Sequence, residues 1–524
     1  MRNNHKVGEN NLQKFGMDFH HPVFFVSALV VFTFVVASIL FPTTVKEVLD
    51  GVKLWSINYF DWLFVSAANI FVIFCLLLII LPVGKIRLGG IDAKKEFSTL
   101  SWLSMLFAAG MGIGLMYWSV AEPVAHYTGW YYTPLGVEPN TSEAKDLAMG
   151  ATMFHWGFHP WAIYAVVGLS LAFFSFNKKL PLTIRSAFFP ILGNKIWGWQ
   201  GHVIDILAVF ATIFGLATSL GFGVQQITAG LHFLFDIGNT TNNQIIIIAA
   251  ITALALISVV RGLDRGVKIL SNFTIIVAFL LVAFIIITGS TTDILLGIGT
   301  TLNDYFSNIL ALSNPVNRED SGWYHGWTVF YWAWWIAWSP FVGMFIARIS
   351  KGRTVREFLI AVLFVPVSVT AVWMSTFGLS ALQQVIDKVG VLANGLDDKS
   401  LAMFQMLEHL PFASITSVVA IFLVIVFFVT SSDSGSLVID SITAGGKLDA
   451  PVPQRVFWAI AEGFVAAALL YAGGNEALSA LQAGSISTAL PFVFILLIMC
   501  YSLYKGLSAD IKDVKNIKSV ENLN

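Results

Sequence analysis

Twelve runs of apolar residues, each near the ~20 residues a helix needs to cross a hydrocarbon core, constrain this chain more than any other feature. They fall at about Val23–Phe41, Trp62–Leu81, Leu100–Trp118, Met149–Phe176, Val203–Leu220, Gln244–Val259, Ile269–Gly289, Gly326–Ile349, Phe358–Leu379, Ile415–Val438, Val456–Ala472 and Ser485–Leu503. Lipid offers no partner to backbone N–H and C=O groups, so such runs must satisfy them internally, as helices. The predicted class is an all-α polytopic membrane protein with 12 transmembrane helices. Only 12% of the 524 residues are charged, against roughly 25% in an average soluble domain, which leaves too little charge to coat a water-facing surface. The fourth run exceeds one span, which predicts tilt or a helical extension.

Sidedness follows from the cations. With the N-terminus inside, 24 of the 30 Lys and Arg fall in inner segments, and only Lys46, Lys53, Lys145, Arg318, Lys388 and Lys399 fall outside. This positive-inside asymmetry places both termini in the cytoplasm. The net charge of −1 therefore carries little meaning, and nothing points to nucleic acid. Cys75 and Cys500 lie within apolar runs and read as small buried hydrophobes. The first 22 residues are polar and include Glu9 and Asp18, so no cleavable signal is expected before the first span.

No Ser/Gly-rich linker divides the chain. We read a tail over 1–22, one membrane domain over 23–503 and a short tail over 504–524. Within the domain, Thr291–Ser313 is amphipathic, with Leu295, Ile298, Leu302, Tyr305, Phe306, Ile309 and Leu312 at helical spacing. That predicts a helix at the outer interface rather than a further span, which would break the charge alternation.

Two spans are unusual. The third carries Gly110, Gly112 and Gly114, each costing a helix roughly 1 kcal/mol relative to Ala and letting the backbone open. The eighth carries Tyr331, Trp332, Trp334, Trp335 and Trp338, then Ser339-Pro340. Interrupted spans in matching positions of two halves point to a transporter site. Spans three and eight stand five apart, which fits spans 3–7 and 8–12 as inverted repeats after two peripheral spans.

The fourth span adds Trp156, Trp161 and Tyr164. At 100° per residue these sit within about 140° of one another, and Tyr331, Trp334, Trp335 and Trp338 share a face about 100° wide, with Trp332 apart. Two such stripes could form a cage of ring faces, which attracts a quaternary ammonium that has no N–H to donate. Ordinary packing, or an aromatic belt at the headgroups, is the plain alternative. A belt accounts for Trp130, Tyr131, Tyr132, Trp197 and Trp199 better than for mid-span rings. No Arg or Lys stands mid-membrane to hold a carboxylate. The opened glycine segment, Gly110-Met111-Gly112-Ile113-Gly114, offers backbone N–H donors and a helix N-terminus instead, which suits a zwitterion; close helix packing is the competing reading of the glycines.

On the tenth span, Phe427 to Ser434 (FFVTSSDS) supplies hydroxyls and carbonyls, hard ligands for an alkali cation. Such hydroxyls more often bond their own helix. Asp433, Glu122, Asp205 and Glu462 are intramembrane acids, and so functional by default. His126, His155 and His159 are potential proton carriers. His155 and His159 stand at i, i+4, but a metal site needs three or four ligands, so no metal other than sodium is expected. No nucleophile–base set or phosphate loop is present, and the chain is not read as an enzyme.

Taken together, Gly110–Leu115 (GMGIGL), Trp118–Pro123 (WSVAEP), the Trp156–Tyr164 stretch and Tyr331–Ser350 (YWAWWIAWSPFVGMFIARIS) resemble the betaine/carnitine/choline transporter family, over nearly all of residues 20–505. The resemblance implies a LeuT-type fold of two inverted five-helix repeats, a homotrimer in a bacterial cell membrane, and a quaternary-ammonium osmolyte such as glycine betaine moved by alternating access. It implies a box of Trp156, Trp161, Tyr164 and Trp335, with Trp334 and Trp338 along the pathway. An inner sodium site would use carbonyls of Ala108, Met111 and Phe427 and hydroxyls of Thr430 and Ser431. A second would draw on Thr212, Ser219 and Asn272, although Leu216 stands where another hydroxyl is expected. Proton-coupled choline members carry an acid at the position of Gly114, so the sequence looks closer to sodium-coupled betaine carriers. Proton-coupled choline uptake, sodium-independent exchange, and a channel or sensor are the alternatives. The short tail from Lys505 predicts weak osmotic regulation.

Overall fold

The computed structural model describes residues 6–110, 112–261 and 264–521; the side chains of 107–110, 261, 264–272, 475 and 512–521 stand outside that description. A small antiparallel hairpin, β1 (Asn11–Lys14) and β2 (Met17–His20), comes first. The rest is helical: α1 (His21–Leu40), α2 (Pro42–Ile80), α3 (Thr99–Gly110), α4 (Ile113–Thr128), α5 (Ser142–Trp156), α6 (Phe158–Phe176), α7 (Phe189–Leu192), α8 (Trp199–Phe235), α9 (Thr241–Arg261), α10 (Asp264–Thr288), α11 (Thr291–Leu312), α12 (Ser321–Trp323), α13 (Phe330–Ile349), α14 (Val355–Ile386), α15 (Ala402–Leu407), α16 (Ala413–Thr443), α17 (Val452–Gly473) and α18 (Ala477–Glu521).

By length and composition, ten helical segments among the described residues can cross a membrane, or eleven if the bent pair Phe273–Thr288 and Thr291–Leu312 is one span. The third apolar run is not among them, because it is broken. Its halves α3 and α4 have 12 and 16 residues. Between them Gly112 is fully extended, at φ −172° and ψ −175°. The chain is thus an all-helical polytopic membrane protein apart from the hairpin.

The helices divide by what they face. The window spanning α5 and α6 is 94% buried, whereas that of α1 is 28% buried. The outward residues of α1 and α9 are Phe25, Leu29, Phe32, Ile246, Leu254 and Ile257, all exposed. An apolar face of that kind requires an apolar solvent. Several helices outrun their apolar runs. In α2 the charged stretch before Trp62 stays helical, with Lys46 and Asp50 paired at i, i+4, a gain to which hydropathy is blind. Likewise α18 continues past 503 without a break, so the expected boundary of the C-terminal tail is not a structural one.

Ion pairs gather at the two ends of the helices. Lys46 pairs with Glu476 at 2.9 Å and Lys53 donates to Ser479 at 3.1 Å on one end. Lys95 pairs with Glu357 at 2.8 Å, and Lys178 with Asp510, on the other. The N-terminal hairpin docks there too: Asn11 donates to the Ala444 carbonyl and Asp18 pairs with Lys447. Asp205, read from sequence as an intramembrane acid, is an anchor for this end. It accepts from the Arg185 backbone N–H at 2.9 Å and pairs with its guanidinium.

The amphipathic helix α11 turns 114° from the segment before it. Its inner face, including Ile294, Thr301 and Tyr305, is buried, while Leu295, Leu296, Phe306 and Leu310 are exposed. Tyr305 reaches the break between α5 and α6 and accepts the Phe158 N–H at 3.0 Å, one of the donors a helix start leaves open. Tyr305→Phe is expected to cost about 1–2 kcal/mol by orphaning that buried donor. A lowered melting temperature of the purified protein in detergent is the check, and an unchanged one would say the bond is not made.

Candidate functional site

The site is built where two backbone breaks meet one continuous helix. The first is at Gly112. The second, unanticipated, is at Gly157, which has φ −92° and ψ −132°. A Cβ there would lie 2.5 Å from the Met153 carbonyl oxygen and 2.7 Å from Tyr305 Oη, so only glycine fits. Pro160 in the first turn of α6 has no N–H to lose from the ladder. The predicted disturbance at Ser339-Pro340 is absent. Ser339 Oγ donates to the Ile336 carbonyl at 2.7 Å and α13 runs through. The irregular turn is instead a π-helix at Tyr324–Val329, just before α13.

A cavity of about 50 Å³ sits between these elements, room for about three to five water-sized groups. Gly112, Ile113, Gly114 and Leu115 line it from the start of α4, Trp156 from the end of α5, and Pro160, Trp161 and Tyr164 from α6. Trp334, Trp335 and Trp338 line it from α13, with Ser219 of α8 and Thr370 of α14. Trp334 and Trp335 stack at 4.7 Å between centroids, Trp156 stands edge-on to Trp335 at 4.9 Å, and Tyr164 lies 6.0 Å from Trp335. Trp332 is turned away, stacked on His159 at 5.1 Å.

Four indole N–H groups around the cavity are bonded to protein and so are not free to donate into it. Trp335 donates to the His155 carbonyl at 2.9 Å, an acceptor in the last turn of α5, where the ladder stops. Trp338 donates to the Gly215 carbonyl at 2.8 Å, Trp334 to Ser219 Oγ at 3.1 Å and Trp156 to Glu122 at 2.9 Å. With four N–H groups held by protein, the lining is apolar and π-rich. Among the described residues, Tyr164 Oη has no hydrogen-bond partner, although it is buried.

Gly114 makes the convergence possible. A Cβ on it would lie 2.7 Å from Trp156 Cη2 and 2.8 Å from Trp334 Cη2. At the start of α4 no side chain caps the helix, so first-turn N–H groups beside the cavity lack helical partners. Of the residues expected near this opening, Met111 lies outside the described residues, as do the side chains of Ala108 and Asn272, and Gly110 ends α3.

The other expected cation ligands are less gathered. Thr430 Oγ1 donates to the carbonyls of Val426, at 2.9 Å, and Phe427, at 3.3 Å. Thr212 donates to Ala208 at 2.7 Å. Both bond their own helix. Ser431 is half-buried on α16. Ser219 belongs to the aromatic cavity, as the acceptor for Trp334. Leu216 is buried against Gly435, and Glu462 accepts from Ser432.

Sequence reasoning missed the network behind the cage. Glu122 is fully buried and meets His155 Nδ1 at 2.6 Å, His126 Nε2 at 3.3 Å, Trp156 Nε1 and the Tyr331 hydroxyl. The i, i+4 spacing of Glu122 and His126 was the available signal. Ligand atoms of Glu122, His126 and His155 cluster closely enough for a metal. However, Trp323 Nε1–H points at His126 Nδ1, at 3.1 Å. That fixes the proton of neutral His126 on Nε2, where it donates to Glu122 and has no lone pair for a metal.

A separate vestibule of about 700 Å³ includes Trp130, Gln225, Asp397, Asp398 and Lys399. There the Lys399 ammonium sits 4.2 Å from the centroid of the Trp130 ring, and burial pulls its pKa down to about 7.

Comparison with known proteins agrees with this architecture. A model of the betaine/carnitine/choline family transporters matches residues 22–512. A protein named glycine betaine transporter 1, from Vibrio parahaemolyticus, is 63% identical over 96% of this chain and 97% of its own length. A glycine betaine/proline/choline/ectoine transporter of the same organism is 58% identical over 97% of this chain and 90% of its own. The glycine betaine transporter OpuD of Bacillus subtilis is 41% identical over 95% and 96%. The chain therefore belongs to the BCCT family, the betaine/carnitine/choline transporters.

Proposed function

We propose that this protein imports glycine betaine, or a closely related quaternary-ammonium osmolyte, together with sodium, by alternating access in a bacterial cytoplasmic membrane. The observation that carries the reading is the single cavity where Trp156, Trp161, Tyr164, Trp334, Trp335 and Trp338 meet the N-terminus of α4. The ring faces would take the trimethylammonium head. The open N–H groups of α4 would take the carboxylate, with Tyr164 Oη, a buried hydroxyl otherwise unpartnered, as a further donor. The relatives' names support the substrate, and the wider range named for the 58% relative makes choline, proline and ectoine the competitors to test. An acid at position 114, as in proton-coupled choline uptake, would have no room between Trp156 and Trp334.

The ten single segments, the bent pair and the broken α3–α4 together make twelve crossings in this reading. Spans 3–7 and 8–12 are the inverted repeats, the six sparse cations mark the outside, and the assembly is a homotrimer in the bilayer. Sodium binds where α3 opens toward α16, through Phe427, Thr430 and Ser431 with Ala108 and Met111, and holds the outward state. Uptake of radiolabelled betaine into proteoliposomes, with and without a sodium gradient, tests the whole. Accumulation is expected only with the gradient, and equal uptake without it would remove the coupling. Ser431→Ala is expected to raise the half-saturating sodium concentration about threefold to tenfold, the loss of one weak ligand. An unaltered sodium curve would move the site elsewhere.

A further inference from the structure

We propose that Glu122 is the positioning residue of the aromatic cage, and that its charge makes the cage prefer a cationic head over a neutral one of the same shape. The inference rests on the cage reading given above and deepens it.

Glu122 lies mid-way along α4, fully buried, and does not line the cavity. Its Oε2 receives two cage-side donors, the Trp156 N–H at 2.9 Å and the Tyr331 hydroxyl. Its Oε1 faces His155 Nδ1 at 2.6 Å and His126 Nε2 at 3.3 Å. The far nitrogens are also used: His155 Nε2 meets Thr328 Oγ1 at 2.9 Å, and His126 Nδ1 accepts from Trp323. An indole N–H can only donate, and Trp323 leaves His126 with a donor facing Glu122. Trp156 and His126 can only donate to Glu122; with the His155 proton on Nδ1 and the Thr328 hydroxyl donating to Nε2, His155 and Tyr331 complete four donors, the arrangement an ionised carboxylate accepts.

Two consequences follow. Geometrically, one carboxylate ties α5 and α13 together through the indole whose centroid lies 4.9 Å from that of Trp335 and the phenol 6.0 Å from Trp334. Electrostatically, a negative charge accepting the in-plane N–H of Trp156 raises the electron density of the indole π system. Cation–π attraction depends on that density. A methyl head without charge gains nothing from it.

The test is equilibrium binding to purified protein of two ligands: betaine, and 3,3-dimethylbutanoate, in which a carbon replaces the quaternary nitrogen. Wild-type protein is expected to favour betaine. Glu122→Gln is expected to weaken betaine about 5-fold to 10-fold, and the carbon analogue by less than about 2-fold, so the ratio collapses. Glu122→Asp, which keeps the charge, should restore most of the ratio. Equal weakening of both ligands by Glu122→Gln would mean packing alone, and no change would mean no role; either overturns the proposal. Should Glu122→Gln not fold, Trp156→Phe severs the ring from the carboxylate, and a wild-type ratio in that variant overturns it too. Failure of the cage reading looks different, because the wild-type protein would itself not distinguish the two ligands.

Discussion

Trp335→Leu is expected to weaken betaine uptake by at least about 10-fold, because a desolvated cation–π contact contributes about 2 kcal/mol. The position is chosen from geometry. Trp335 stacks on Trp334, stands edge-on to Trp156, and approaches Tyr164, so at the cavity it meets rings of both α5 and α6. Its N–H is held by the His155 carbonyl, which fixes its plane. Leucine keeps much of the apolar volume and loses the quadrupole. The loss should therefore appear in the apparent affinity for betaine, with the sodium dependence little changed, in proteoliposome uptake over a concentration series. Wild-type affinity in this variant would mean that the rings pack without binding.

The second large effect is expected at Gly114. Gly114→Val should abolish uptake, by about 100-fold or more, while leaving a protein that inserts and purifies. A Cβ at this position would stand 2.7 and 2.8 Å from the tips of two indoles. Those rings cannot both withdraw: Trp156 is tied to Glu122 and Trp334 to Ser219. Overpacking of this kind costs typically about 1–3 kcal/mol, and here the inserted carbons occupy the space meant for the ligand. Gly112→Ala is the control, since nothing lies within 4 Å of its added Cβ. Equal loss in both variants would locate the defect in the backbone break and not in the cage.

Much of this organisation was legible in sequence because lipid is a strict solvent. Every helix had to satisfy its own backbone, so apolar runs marked the helices long enough to cross. The glycines at 110, 112 and 114 marked the broken span for the same reason. The aromatic stripe of α13 was legible because α13 is regular there: Trp334, Trp335 and Trp338 meet the cavity and Trp332 does not. The same wheel drawn through Trp156 and Trp161 assumed one helix, whereas Gly157 breaks it. Gly157 with Pro160 three residues later was a readable sign of that break. Pro340 suggested a kink that the structure absorbs, since Ser339 bonds within its own turn. The irregular turn at Tyr324–Val329 comes instead from tertiary packing. The rings of Tyr131 and Tyr132 press on Gly326 and Gly322, where an added Cβ would lie 2.3 Å away. The convergence of His155, Tyr331 and Trp156 on Glu122 joins residues up to 209 positions apart, and no local pattern announces it.

The most direct measurement is a structure with betaine bound. The trimethylammonium head should lie within about 6 Å of the ring centroids of Trp156, Trp161, Tyr164 and Trp335, with the carboxylate at the first turn of α4. Betaine density in the vestibule beside Trp130 alone, or at a position that does not touch Trp335, would contradict it.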